Sequence, residues 1–191
     1  MMNCRFFLIR IIDVILSTFI IIVSLPLTLS VYLLLFFKYG SPLFFQERVG
    51  KNLKRFTLIK FRTMIIGTNN CPTHIVDHKR ITPVGKIIRK AKIDEIPQFF
   101  NVLKGEMSIV GPRPCLFTQE ELIYERKKLN IHKVTPGITG MAQIKGIDMS
   151  NPKLLAEVEF NMIKSFSIKN YFYYFFKTLI GNGFGDKVKK K

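Results

Sequence analysis

Residues 14–37 read VILSTFIIIVSLPLTLSVYLLLFF, twenty-four residues without a charge. An apolar run longer than about 18 residues is a membrane candidate. A helix of a soluble core would carry a polar stripe, and this segment has none. A cleaved signal sequence fits poorly. The run is too long for its apolar region, and no cleavage-type stretch of small residues follows.

Pro26 sits near the middle of the run. Proline removes one backbone hydrogen bond and crowds the preceding turn, so a bend or break is expected there. Each half is then about 12 residues, or about 18 Å at about 1.5 Å per residue. That is short of a hydrocarbon core of about 30 Å. A hairpin entering and leaving on one side fits these lengths. The flanks agree: Arg5 and Arg10 precede the run, and Lys38, Arg48, Lys51, Lys54, Arg55 and Lys60 follow it. Basic residues prefer the cytoplasmic side. A kinked spanning helix with the C-terminal side inside stays open as the alternative. Either topology leaves the bulk of the chain facing the cytoplasm.

The chain has 191 residues and a formal net charge of +17. Such charge fits nucleic acid, anionic lipid or phosphorylated small molecules. No helix-turn-helix, zinc-finger or RNA-recognition signature is present, so nucleic acid is not the expected partner. The three cysteines, Cys4, Cys71 and Cys115, make no disulfide framework and fit a reducing compartment. Cys71, His74 and His78 are too few for a zinc site.

Beyond the anchor, residues 41–66 read as extended pieces with turns, and Phe56–Ile59 is strand-like. Residues 67–80 are polar and turn-rich, as in a surface loop. Thr82 followed by Pro83 predicts a helix start. Ile96, Phe99, Phe100 and Leu103 recur at helical spacing, with Gly105 as a stop. Met107–Val110 is strand-like, and Gly111–Pro114 and Thr135–Gly140 are turn clusters. Residues 118–130 read as a solvated helix, and residues 152–165 as a helix opened by Pro152. Residues 171–176, YFYYFF between Lys169 and Lys177, fit either an interfacial helix or a core helix with an aromatic stripe. Lys189, Lys190 and Lys191 would add attraction to anionic lipid.

Asp94 and Glu95 are adjacent acids in a strongly basic chain, at the start of a helix pattern. One reading is a helix cap with a salt bridge to Arg89 or Lys92. The other is chemistry, since an ionised aspartate can act as a nucleophile or hold Mg²⁺ beside substrate phosphates. Lys60, Arg62, Arg89 and Arg113 are candidate phosphate ligands. Arg113 lies between two prolines, which suits rigid positioning.

The run from Asp94 to Pro114, DEIPQFFNVLKGEMSIVGPRP, closely resembles the signature of the bacterial sugar transferases, the monotopic phosphoglycosyl transferases. So do QERVG at 46–50, KFRTM at 60–64, and PGITG at 136–140 with Ala142 and Gln143. The resemblance implies an α+β, mainly helical fold with a re-entrant membrane helix-hairpin broken at Pro26, interfacial amphipathic helices and a small catalytic domain. It places the anchor at 1–40, the cytoplasmic membrane-associated catalytic domain at 41–180 and a basic tail at 181–191. The implied localisation is the cytoplasmic face of the bacterial inner membrane.

The implied reaction moves a sugar phosphate from a UDP-sugar to undecaprenyl phosphate and releases UMP. Such a step opens the assembly of surface glycans. Mg²⁺ is the implied cofactor. Asp94 matches the nucleophile and metal ligand, and Glu95 completes the dyad. Lys60, Arg62, Arg89, Arg113 and Gln143 are the expected contacts to the donor. The chain departs from the family pattern at Leu25, where serine is common, and at Met141, where tryptophan is usual. It departs also at Ile147, usually arginine, and at Lys169, near a frequent aspartate. These positions bear on the sugar accepted rather than on the reaction.

Overall fold

The structure, a computed structural model, describes residues 2–67 and 80–180, with side chains from Phe7 onward. The candidate ligands Cys71, His74 and His78, most of the 67–80 loop and the 181–191 tail lie outside the described residues.

The first element, α1 (Met2–Tyr39), is one helix of 38 residues with Pro26 inside it. Of the bend or break expected at Pro26, the break is not seen: the helix is not interrupted into two. Pro26 has no N–H for the carbonyl of Ile22, but the neighbouring turns keep their own bonds, so a single missing bond does not end the helix. Ser24, Thr28 and Ser30 turn their hydroxyls back onto carbonyls of the same helix. That absorbs their polarity in an apolar environment. The stretch Phe7–Tyr39 is long and apolar enough to cross a membrane.

Both ends of α1 rest on the following domain. Near the N-terminal end, Ile9 is buried in a cluster with Phe56, Val102, Met107 and Tyr171. Arg10 donates to the carbonyls of Val102 and Leu103 at 2.5 and 2.9 Å. Asp13 accepts from the Ile109 amide at 3.0 Å and from the Tyr171 hydroxyl at 2.6 Å. Near the other end, Val31 and Leu35 are buried against Phe61 and Ile88. Between them the helix stands off, leaving a cavity of about 470 Å³ lined by its middle turns and by Phe45, Ile96 and Phe100.

Strands β1 (Leu43–Val49) and β2 (Arg55–Phe61) form an antiparallel hairpin, with Leu43 opposite Phe61 and Val49 opposite Arg55. Helix α2 (Pro83–Lys90) starts as expected, the Thr82 hydroxyl accepting from the Gly85 amide at 3.0 Å. Helix α3 (Gln98–Lys104) ends at Gly105, whose φ of 83° is in the left-handed region that glycine tolerates. Arg10 takes carbonyls in its last turn, where a cation also suits the helix dipole.

Strand β3 (Ser108–Val110) pairs in parallel with β4 (Gly137–Thr139). The turn cluster expected at 135–140 thus contains a short strand. A Cβ on Gly137 would lie 2.0 Å from the Gly111 nitrogen, so only glycine lets these backbones meet. Helix α4 (Glu120–Lys128) follows β3, and α5 (Met141–Ile144), α6 (Pro152–Lys164) and α7 (Ile168–Leu179) follow β4. Helix α4 is not simply solvated, because Leu122 and Arg126 are buried. Helix α7 carries the aromatic stripe expected of a core helix. Tyr171 and Tyr174 enter the core, while Tyr173 and Phe176 face outward.

Candidate active site

Asp94 and Glu95 sit in a short 3-10 turn, Ile93–Glu95, and both are buried. Neither acid occupies a cap position: the residue capping α3 is Pro97, and Lys92 caps the 3-10 turn. The capping role therefore gives way. Two carboxylates have been carried out of water, which costs free energy unless partners offset it.

The partners come from two directions. Lys60, near the end of β2, brings Nζ to 3.2 Å from Glu95 Oε1. Arg113, in the turn after β3, brings Nη2 to 3.5 Å from the same oxygen. The hairpin is tied to α3 by Asn101, which is wholly buried. Its Oδ1 accepts from the Ile59 amide at 3.1 Å, and its Nδ2 donates to Thr57 O at 2.7 Å and to Glu106 Oε2 at 2.6 Å. One side chain thus ties the strand bearing Lys60 to the helix that follows the dyad. Sequence reading passed over Asn101, since its partners on β2 lie more than forty residues away.

Lys92, just before the dyad, holds a left-handed backbone at φ 56°. Its ammonium donates to the Thr178 carbonyl at the end of α7, 3.1 Å away. Burial pushes it below the ordinary lysine range; Glu95 opposes that shift and Arg113 adds to it.

The other candidates are placed differently. Arg62 donates to the carbonyls of Ser41 and Leu43 at 3.0 and 3.1 Å, holding the chain where α1 passes into β1. Arg89 lies on α2, which packs against the dyad's turn, and its Nε donates to Thr63 Oγ1 at 2.9 Å. Gln143 is buried on α5, and both its amide atoms lack a hydrogen-bond partner among the described residues. Gln98 Nε2, four residues beyond Asp94, is in the same condition. Buried amides are normally satisfied, so each marks a place where a partner is expected. Gln98 was not singled out by the sequence reading.

The sequence profile of the bacterial sugar transferases matches residues 4–182. The chain belongs to the bacterial sugar transferase family. Curated members of that family give it named company. It is 38% identical over 176 residues to the UDP-N-acetylgalactosamine-undecaprenyl-phosphate N-acetylgalactosaminephosphotransferase of Aeromonas hydrophila, covering 85% of this chain and 41% of that protein. It is 39% identical over 140 residues to the UDP-glucose:undecaprenyl-phosphate glucose-1-phosphate transferase of Escherichia coli (strain K12), covering 70% and 30%. An uncharacterized sugar transferase, EpsL, of Bacillus subtilis (strain 168) is 50% identical over 110 residues, covering 57% and 54%. The chain thus spans about half the length, or less, of these relatives.

Proposed function

We propose that this bacterial sugar transferase moves a sugar phosphate from a UDP-sugar to undecaprenyl phosphate, through a covalent bond to Asp94. The observation that carries the reading is a buried pair of adjacent carboxylates with Lys60 and Arg113 converging on Glu95 from separate elements. The names of the relatives supply the donor and acceptor classes.

In the first step a carboxylate oxygen of Asp94 bonds to the phosphorus that carries the sugar. The bond from that phosphorus to the bridging oxygen breaks, and UMP leaves with the electron pair. In the second step a phosphate oxygen of the acceptor attacks the same phosphorus. The bond to Asp94 then breaks and its carboxylate is restored. Lys60 and Arg113 stabilise charge on the diphosphate oxygens, where fixed cations in a water-poor site are most effective. Glu95 holds both cations in place before the donor arrives.

The residues fit Mg²⁺. Among the described residues no group of three or more His, Cys, Asp or Glu forms a closed cage. Mg²⁺ instead commonly takes one or two carboxylates and completes its shell with substrate phosphates and water. Asp94, with Glu95 beside it, is such a donor set. Bound there, Mg²⁺ would neutralise charge on the donor's diphosphate.

The membrane placement belongs to the same proposal. A spanning helix carries its two ends to opposite faces of the bilayer, yet Arg10 and Leu35 both dock on one domain. This supports a re-entrant α1, bent at Pro26 rather than broken there so that both ends return to one face, held in the cytoplasmic leaflet of the bacterial inner membrane. The apolar cavity beneath its middle borders Ile96 and Pro97, immediately after the dyad. It suits the hydrocarbon chain of the acceptor, whose phosphate then reaches Asp94. A purely nucleic-acid- or lipid-binding role for the basic, membrane-tethered chain would leave the buried dyad without work.

The test is UMP release by the purified chain given Mg²⁺, a panel of UDP-sugars and undecaprenyl phosphate. Release beyond one equivalent that depends on one donor and on acceptor supports the proposal; absence of release with every donor sinks it. Leu29→Trp, which fills the cavity, should raise KM for the acceptor and spare the donor half-reaction. An unchanged acceptor KM would remove the cavity from the account.

A further inference from the structure

The turn Pro112–Arg113–Pro114 is held more tightly than a surface turn requires. Its two prolines have no N–H, so Arg113 supplies the single backbone donor of the three residues. That amide donates to Glu159 Oε1 at 3.2 Å. All three carbonyls are also taken. Pro112 O accepts from the Gly137 amide at 2.8 Å, Arg113 O from Arg126 Nη2 at 2.7 Å, and Pro114 O from Arg48 Nη1 at 3.0 Å.

Arg126 on α4 and Glu159 on α6 also form a two-pronged ion pair. Nε meets Oε2 at 2.8 Å and Nη2 meets Oε1 at 2.6 Å. Glu159 is 1% exposed and Arg126 7%. Glu159 and Arg126 both grip the backbone of Arg113, whose guanidinium lies 3.5 Å from Glu95.

A buried ion pair is a poor device for stability alone. Its desolvation offsets much of its attraction, and apolar residues of similar volume often serve as well. It is a good device for fixing geometry, because a planar fork on a carboxylate tolerates little displacement. We propose that Arg126 and Glu159 are positioning residues for donor recognition: they hold the Arg113 backbone so that its guanidinium meets the donor's diphosphate. The inference rests on the reading that Arg113 contacts that diphosphate.

The test is a titration of UDP in the presence of Mg²⁺, read beside thermal melting. The variant is Arg126→Met with Glu159→Leu, which removes both charges and keeps the volume. The expected result is a variant that still melts cooperatively, at a lowered temperature because the Arg113 amide and carbonyl lose their partners, with UDP affinity at a temperature well below that transition weakened about tenfold or more, since small misplacements of positioning groups are costly. Arg113→Ala should weaken UDP to a similar degree, and adding the double substitution to it should change affinity no further. Arg126→Lys, which keeps the charge but loses the fork, covers the case in which the double variant fails to fold; it too should weaken UDP. Parental UDP affinity in a folded double variant or in Arg126→Lys would overturn the inference, as would full additivity with Arg113→Ala. If the parent itself binds no UDP, the proposed function fails first, and this result is distinct from the others.

Discussion

Lys60 and Glu95 meet at 3.2 Å, one from the end of a β-hairpin and the other from a 3-10 turn, with both side chains nearly buried. Arg113 shares the same carboxylate oxygen. Two cations gathered on one acid form a place where phosphate oxygens can be received. Lys60→Met should lower kcat for UMP release by about 10²–10³, as loss of one stabilising donor does elsewhere. It should also reduce stability by about 2 kcal/mol, the worth of a hydrogen bond to a charged group. Steady-state kinetics and denaturation of the purified variant check both. Parental kcat would remove Lys60 from the reacting site.

Asn101→Ala removes three hydrogen bonds from a fully buried side chain and strands the Ile59 amide. Unsatisfied buried groups are expensive, so a loss of about 3 kcal/mol is expected. Urea denaturation in detergent should show it, with residual activity falling because Lys60 no longer stands fixed against Glu95. A loss below about 0.5 kcal/mol, the size of ordinary surface substitutions, would refute the link.

The particulars show what the sequence made legible. Thr82 and Pro83 predict the start of α2, and Pro152 that of α6, because caps and first-turn prolines act locally. Asn101, by contrast, reads as an ordinary polar residue on a helix. Its meaning depends on a strand brought alongside by folding. The 137–139 strand escaped for a related reason: its pairing with β3 is non-local, and its glycine signals a turn as readily as a close backbone approach. Residues 118–130 read as a solvated helix since charge alternates along them, yet Arg126 turns inward to meet Glu159. Asp94 and Glu95 stood out by type, whereas their burial and their partner Lys60 emerged only in three dimensions.

Tyr171 joins the start of the anchor to α7 through Asp13, and burial together with that carboxylate pushes its phenol well above the ordinary tyrosine range. Below about pH 10 neither folded nor unfolded phenol is ionised, and the pair contributes fully. Above it the unfolded chain loses a proton that the folded chain keeps. Stability should therefore fall as pH rises, by about 1.4 kcal/mol per unit from this group. Tyr171→Phe should flatten that alkaline slope while lowering stability at neutral pH. Denaturation measured from pH 8 to 11 on both proteins decides it; identical slopes would contradict the account.

With both ends of α1 docked on one domain, Cys4 should lie on the cytoplasmic side. A membrane-impermeant thiol reagent should label it in inverted vesicles and spare it in intact cells, in a chain carrying Cys71→Ser. Labelling from outside would make α1 a spanning helix.

The central claim is that Asp94 carries the sugar phosphate. Intact-protein mass spectrometry after mixing the purified chain with Mg²⁺ and its UDP-sugar, without acceptor, tests this most directly. The account expects one sugar phosphate added per chain, on the peptide containing Asp94, matched by one equivalent of UMP. It expects neither in Asp94→Asn, and loss of the adduct when undecaprenyl phosphate is supplied. Turnover with no adduct at any time, or an adduct that survives Asp94→Asn, would contradict it.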